Sequence, residues 1–234
     1  MSSILCTICM RSGSKGVKNK NLKNLNGKPL MGYTIEQAKK SKLFKHIVIS
    51  TDSDEIAQMA RTFGAESWFI RPDEMATDNA PKIPVIRHAL LEAEMHYGLK
   101  FDTIIDLDAT SPLRTMKDIN KAYKQFVDQD SDILITACPS RKNPYFNMVE
   151  EVDGRIKKIK ELKSSPIRRQ DAPKVYDMNA SIYIWKRSYL LNGGDLFTQK
   201  TSLYIMPEIR SIDIDSELDW AFVEYILSNK MRKK

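Results

Sequence analysis

Over the first 138 residues, short unbroken apolar runs alternate with stretches whose apolar residues recur at helical spacing. Ile4 to Met10, interrupted only by Thr7, reads as a buried first strand. Pro29 to about Lys40 reads as a helix, with Leu30, Tyr33, Thr34 and Ala38 on one face and a proline suited to the first turn. His46–Ser50 is the next strand, 54–63 a helix ended by Gly64, and Ser67–Ile70 a further short strand. Helix 84–97 places Ile86, Leu90, Ala93 and Tyr97 on one stripe. Phe101–Leu107 is a strong central strand, helix 116–127 turns Ile119, Tyr123 and Phe126 inward, and Asp132–Cys138 is another strand. Apolar strands separated by helices predict parallel β-α-β units with both sheet faces covered.

From Pro139 the texture changes. Residues 139–177 are rich in charge and proline, with strand-like pieces at Tyr145–Val152 and Arg155–Ile159 but no helical period. Regular patterning returns with Asn179–Trp185, then short strands at Leu203–Met206 and Ser211–Ile214. Helix 217–229 follows, with Ser216 as N-cap, Asp219 at the capping-box position, and Leu218, Phe222 and Ile226 expected toward the core. The expected organisation is an α/β domain built from 1–138 and 178–234, with 139–177 as an inserted β-rich arm. Such an arm buries little by itself, so packing on another subunit is expected.

The loops beyond the strands carry the chemistry. In open α/β sheets ligands bind past the carboxyl ends of the strands. The stretch from Arg11 to Asn21 holds two glycines, two serines, two asparagines and the cations Arg11, Lys15, Lys18 and Lys20, with no acidic residue. Backbone N–H groups and cations gathered in one loop suit a polyphosphate. Neither the G-x-x-x-x-G-K-[ST] nor the G-x-G-x-x-G pattern is present. Asp213 and Asp215, two apart on an extended segment, put both carboxylates on one side. With a triphosphate nearby, that pair suits Mg²⁺, which takes one or two carboxylates plus phosphates and waters. The long loop from Arg71 to Pro84 has no apolar period, a length uncommon without function. Arg71 and Arg114 begin loops and could each grip a carboxylate, and Arg168-Arg169-Gln170 is a second polar cluster within the arm. His46, His88 and His96 lack zinc spacing, and Cys6 and Cys9 fall on opposite strand faces, so all five read as structural.

Composition narrows the classes. Net charge is +7, but Lys230, Arg232, Lys233 and Lys234 supply four of those charges at the extreme C-terminus. The remainder fits an anionic small ligand better than a nucleic-acid surface, and aromatic residues are not interleaved with the cations. No apolar run approaches the roughly eighteen residues of a membrane span, and no positive region precedes the first apolar run, so neither a span nor a secretory signal is expected. Three cysteines without framework spacing point to a cytoplasmic, disulfide-free protein.

Seven pieces, in order along nearly the whole chain, resemble the CMP-sialic acid synthetases, or N-acylneuraminate cytidylyltransferases. They are Arg11-x-Gly13-Ser14-Lys15-Gly16 with Lys20-Asn21; Ser50-Thr51-Asp52; Arg71-Pro72; Thr110-Ser111-Pro112-Leu113-Arg114; Arg169-Gln170; Asn179 to Ile184; and Ser211 to Asp215. The resemblance implies a Rossmann-like nucleotidyltransferase fold, a homodimer with an intersubunit arm, and transfer of CMP from CTP to a 2-keto sugar acid with release of pyrophosphate. It implies that Arg11, Ser14, Lys15, Lys20 and Asn21, with Arg71 and Lys82, hold the nucleotide. Asp213 and Asp215 would hold Mg²⁺, with Mn²⁺ as the substitute. Arg169, Gln170 and Asn179 would serve the sugar side. Asp215 is the candidate to take the proton.

Two departures bear on the substrate. Asp108-Ala109 stands where sialic acid enzymes have Gln-Pro, and Lys82 where they have serine. A carboxylate in place of an amide accepts only, which changes the sugar group that Asp108 welcomes. The run Asp106-Leu107-Asp108-Ala109, Lys82 and Asn143 to Asn147 look more like the CMP-legionaminic acid synthetases. A bacterial nonulosonic acid of that type is therefore expected, with CMP-sialic acid or CMP-Kdo synthesis as the alternative on the same scaffold. A nucleic-acid-binding module using the loop and tail, and a sugar-nucleotide sensor with a dead site, are the alternatives from other classes.

Overall fold

The computed structural model describes residues 3–162 and 168–232, without the side chains of Arg169 and of residues 230–232. In chain order the elements are β1 (Ile4–Cys9), a small ladder of β2 (Asn24–Leu25) and β3 (Lys28–Pro29), α1 (Leu30–Ser41), β4 (His46–Ser50), α2 (Asp54–Thr62), α3 (Lys82–Tyr97), β5 (Thr103–Leu107), α4 (Met116–Asp128) and β6 (Ile133–Pro139). Then come the hairpin β7 (Val149–Val152) and β8 (Arg155–Lys158), β9 (Tyr176–Met178), β10 (Ile182–Lys186), α5 (Arg187–Leu191), β11 (Thr201–Ile205) and α6 (Glu217–Arg232).

The main sheet has the order β11-β6-β10-β5-β1-β4, and β9 joins it on β6. β1 runs parallel to β4 and β5, and β6 parallel to β11; β10 is antiparallel to both of its neighbours. The alternation of side chains splits the core in two. Cys6, Ile8, Ile49 and Ile105 pack against α1, α2 and α4 on one face. Leu5, Val48 and Ile104 pack against α3 and α5 on the other. The architecture is therefore α/β, with a mostly parallel sheet covered on both sides.

A third cluster lies at the carboxyl ends of the strands. Val17, Leu25, Leu30, Leu113, Ile214, Trp220 and Val223 pack together there. It joins the loop after β1 to the segment before α6, elements about 200 residues apart in sequence.

Three expectations are corrected. Residues 67–70 form no strand: only Glu66 bridges β4, and Trp68 and Phe69 turn onto α3, where they meet His96 at 4.1 Å and His88 at 5.5 Å. Residues 211–214 form no strand either, because they cross the strand ends with a single ladder-like bond, Ile214 N–H to the Thr110 carbonyl at 2.9 Å. In α6 the buried residues are Trp220 and Val223, whereas Leu218 and Phe222 are 78% and 50% exposed. That helix has apolar residues on two faces, so periodicity alone could not choose between them.

Candidate active site

The loop after β1 is tied down before it reaches its cations. Met10 N–H bonds the Ser50 carbonyl at 2.9 Å, and Asp52 accepts from the Ser12 N–H and hydroxyl at 2.9 and 2.6 Å. Val17 anchors the far side of the loop in the third core cluster. Gly16 lies against the Asp215 backbone so closely that a Cβ there would fall 1.8 Å from the Asp215 carbonyl oxygen. Glycine at this position is what lets the basic loop and the acidic segment touch. Lys20 completes the join: its ammonium donates to the Ile214 carbonyl at 2.6 Å and to the Asp215 carboxylate at 3.0 Å.

Between them lies a cleft of about 310 Å³, bordered by Arg11, Ser14, Lys15, Lys20, Asp108 and Asp215 among others. A second hollow of about 270 Å³ shares Arg11 and Asp108 with it and adds Arg71, Asp78 and Lys82. Asn21 is buried at the rim, donating to the Arg11 carbonyl at 3.1 Å.

Asp213 and Asp215 flank the buried Ile214 and so lie on the side away from the core. Burial raises the Asp213 carboxyl above its usual range, and the negative charges of Asp215, Asp108 and Asp219 add to the rise. Among the described residues no cation pairs with Asp213, and no cluster of three or more His, Cys, Asp or Glu is set for a metal. Mg²⁺ usually takes one or two carboxylates plus phosphate oxygens and waters, and the two carboxylates supply donors of that kind.

Lys82 opens α3 and sits 3.0 Å from Asp106 and 2.8 Å from Asp108, over the ring of Tyr183. Burial disfavours its charge, but the two carboxylates outweigh that and raise its pKa. Asp108 is the mirror case. Burial opposes ionisation, while Lys82 and the Thr110 N–H and hydroxyl hold its carboxyl well below the ordinary range. Asp106 is fully buried and also accepts from the Thr7 hydroxyl at 2.8 Å. The expected nucleotide-side Lys82 and sugar-side Asp108 are thus one ion-paired unit.

Other expected residues are placed differently. Arg71 is buried, and its guanidinium donates to the Met10 carbonyl at 3.0 Å, to the Ser50 hydroxyl at 3.1 Å and to the Ser50 carbonyl. It clamps the ends of β1 and β4. Arg114 is likewise a buried clamp, donating to the Ser181 and Asp108 carbonyls and the Thr34 hydroxyl. Asn179 is buried beside β6, accepting from the Thr136 hydroxyl at 2.7 Å. Gln170 borders a separate hollow of about 510 Å³ with Asn143, Pro173 and Tyr176. The Arg169 side chain lies outside the described residues.

Two participants were not legible in the sequence. Asp78 pairs with Arg11 at 2.6 Å and with Lys15, whose hydrogen bond does most to lower the Asp78 carboxyl. It thereby neutralises two of the loop's cations. Asp106 stands in the sequence as the first residue of the run Asp106-Leu107-Asp108-Ala109, but its pairing with Lys82 comes only from the fold.

A family model described as Cytidylyltransferase matches residues 5–217. Over 230 residues the chain is 53% identical to a protein of Campylobacter coli named Post-translational flagellin modification protein B, covering 98% of this chain and 97% of that one. It is 54% identical, with the same coverage, to a protein of Campylobacter jejuni subsp. jejuni named CMP-N,N'-diacetyllegionaminic acid synthase. Among solved structures, a CMP:2-keto-3-deoxy-manno-octonic acid synthetase complexed with CTP aligns with a TM-score of 0.72 at 14% identity, covering 98% of this chain and 100% of that one. At that identity the likeness speaks for the fold alone.

Proposed function

The chain belongs to the cytidylyltransferase family, and on that premise we propose that it transfers CMP from CTP to a nonulosonic acid of the diacetyllegionaminic type. The observation that carries this reading is the shared cleft, in which Arg11, Lys15 and Lys20 meet Asp108 and Asp215 across the Gly16 contact. The name of the 54%-identical relative from Campylobacter jejuni supports the choice of acceptor.

Arg11, Lys15 and Lys20, with Ser14 and Asn21, bind the triphosphate end of CTP and its base. Asp78 gives up Arg11 and Lys15 as the phosphates enter. The acceptor's anomeric hydroxyl attacks the α-phosphorus, the new P–O bond replaces the bond to the β-phosphate oxygen, and pyrophosphate leaves with the electron pair. Asp215 takes the hydroxyl proton. Asp213 and Asp215 would hold a divalent cation, Mg²⁺ or Mn²⁺, which supplies charge neutralisation at the phosphates when bound. The unpaired Asp213 carboxyl, repelled by its acidic neighbours, fits that role. Preorganised charges of this kind do most of the work in phosphoryl transfer.

We also assign Asp108, oriented by Lys82 and Thr110, to an acceptor hydroxyl or amide N–H, since a carboxylate can only accept. The hairpin β7–β8 supports a homodimer: Val149 and Ile156 share one of its faces and are 61% and 67% exposed.

Pyrophosphate release measured with CTP, Mg²⁺ and each of N,N'-diacetyllegionaminic acid, N-acetylneuraminic acid and Kdo tests the reading. Turnover is expected with the first and is abolished by a chelator. Asp213→Ala or Asp215→Ala is expected to cost on the order of a hundredfold or more. Full turnover in both variants would remove the metal assignment, and preference for another acid would replace the acceptor.

A further inference from the structure

Asp118 lies in the first turn of α4 and is 1% exposed. A buried carboxylate needs donors, and this one has five, the longest from the Tyr204 hydroxyl at 3.4 Å. The Thr115 N–H and hydroxyl reach it at 2.9 and 2.6 Å, closing a capping box. The guanidinium of Arg210 adds a two-pronged grip, with both nitrogens at 2.9 Å. Arg210 ends a 3-10 turn, Glu208–Arg210, that is closed by the Ser211 N–H to the Glu208 carbonyl at 2.9 Å.

Three residues after Arg210 comes Asp213. One further on, Ile214 bonds the Thr110 carbonyl at 2.9 Å. Thr110 and Asp118 belong to the loop and helix that also carry Asp108. The acidic segment is therefore pinned to the β5–α4 connection at two points, with Asp213 strung between them. Lys20 and the Gly16 contact hold the far end at Ile214 and Asp215, and the Arg210 grip holds the near end, on the other side of Asp213. Arg210 borders neither cleft. A planar guanidinium on a carboxylate fixes orientation as well as distance, which a lysine cannot do.

We propose that Arg210 is a positioning residue for cytidylyl transfer: through Asp118 it sets the register of the segment presenting Asp213 and Asp215 against the loop carrying Asp108. The inference rests on the function proposed above.

The test uses the full chain with Arg210→Met and Arg210→Lys, with Asp213→Asn as control. Turnover, the KM for CTP, thermal melting and Mn²⁺ binding are measured, the last from the free-Mn²⁺ electron paramagnetic resonance signal with CTP present and no acceptor. Arg210→Met is expected to lower kcat and weaken Mn²⁺ binding by about tenfold each, as loss of outer-shell support does, with the KM for CTP little changed. Arg210→Lys, keeping charge but not the fork, is expected to fall between. If Arg210→Met does not fold, Arg210→Lys alone decides. Wild-type kcat and Mn²⁺ affinity in the folded variants, or losses confined to melting temperature, would overturn the proposal. If Asp213→Asn also keeps cation-dependent turnover, the metal assignment fails; no turnover of the unsubstituted chain with any of the three acids would fail the functional reading itself. If Asp213→Asn loses it while the Arg210 variants keep it, only the positioning role fails.

Discussion

The junction of the basic loop with the acidic segment and the hairpin β7–β8 are both built from strands' ends and turns, yet they are held in opposite ways. At the junction, Val17 and Ile214 are buried in a cluster of their own, so the charged residues beside them have fixed backbones. In the hairpin, Val149 and Ile156 face outward, and the two strands pair with no other strand of the described residues. Two strands alone are marginally stable in water. A region that presents chemistry carries its own apolar anchors, whereas a region that leaves Val149 and Ile156 exposed between charges has a face for a second surface to complete.

That contrast breaks most readily at Gly16. Gly16→Ala places a methyl group into the Asp215 carbonyl, so the loop and the acidic segment must separate by more than an ångström. Misplacement on that scale costs about a hundredfold in turnover, measurable as pyrophosphate release, while the distant hairpin leaves oligomeric state unchanged. Wild-type rates in Gly16→Ala would show that the contact is dispensable.

The hairpin makes the reverse prediction. Ile156→Asp is expected to leave the melting transition of the single chain almost where it was, because exposed substitutions stay within about 0.5 kcal/mol. It should weaken self-association by tens of times or more, as loss of an interface anchor of about 2 kcal/mol does. Sedimentation velocity across a concentration series reads this, and the same sedimentation as the unsubstituted chain would exclude the hairpin from any interface between copies.

Asp78→Asn sharpens the junction side. It frees Arg11 and Lys15 from their internal anion, so CTP affinity is expected to rise severalfold in low salt, with the gain fading as screening increases. Calorimetric titration with CTP checks it; weaker binding would mean that Asp78 touches the nucleotide productively.

The smallest effect expected is on stability. The Asp213 carboxyl titrates above its unfolded value, so the folded state binds more protons between those two values. Stability without ligand therefore falls as pH rises through that window. Asp213→Asn removes the liability and is expected to raise the melting temperature at neutral pH by a few degrees, even as activity is lost. The opposite sign applies to Asp118, whose carboxyl is lowered chiefly by Arg210 against the cost of burial. Its contribution is present above the ordinary aspartate value and disappears as pH falls through the lowered one, which acid melting of Arg210→Met would show as a flattened limb.

The alternation of apolar runs was enough to place the central strands β1, β4, β5 and β6 and the helices between them, and the cation-rich loop and the paired aspartates stood out by composition and spacing. The errors have a shared cause. Trp68 and Phe69 have strand-like chemistry but satisfy it against α3, and Leu218 and Phe222 have the spacing of a buried face but lose to Trp220 and Val223. Local pattern states that a residue wants burial without saying which surface supplies it.

What the chain determined by itself, then, was periodicity and inventory: where the central strands and helices alternate, which loops are basic, where carboxylates stand two apart. Only tertiary structure decided that Gly16 meets Asp215, that Lys82 belongs to Asp106 and Asp108, that Arg71 and Arg114 bond backbone carbonyls, and that Asp78 pairs with two cations of the basic loop. Each of these joins residues far apart along the chain, and long-range pairing of charges follows from how the packed core brings the strand ends together.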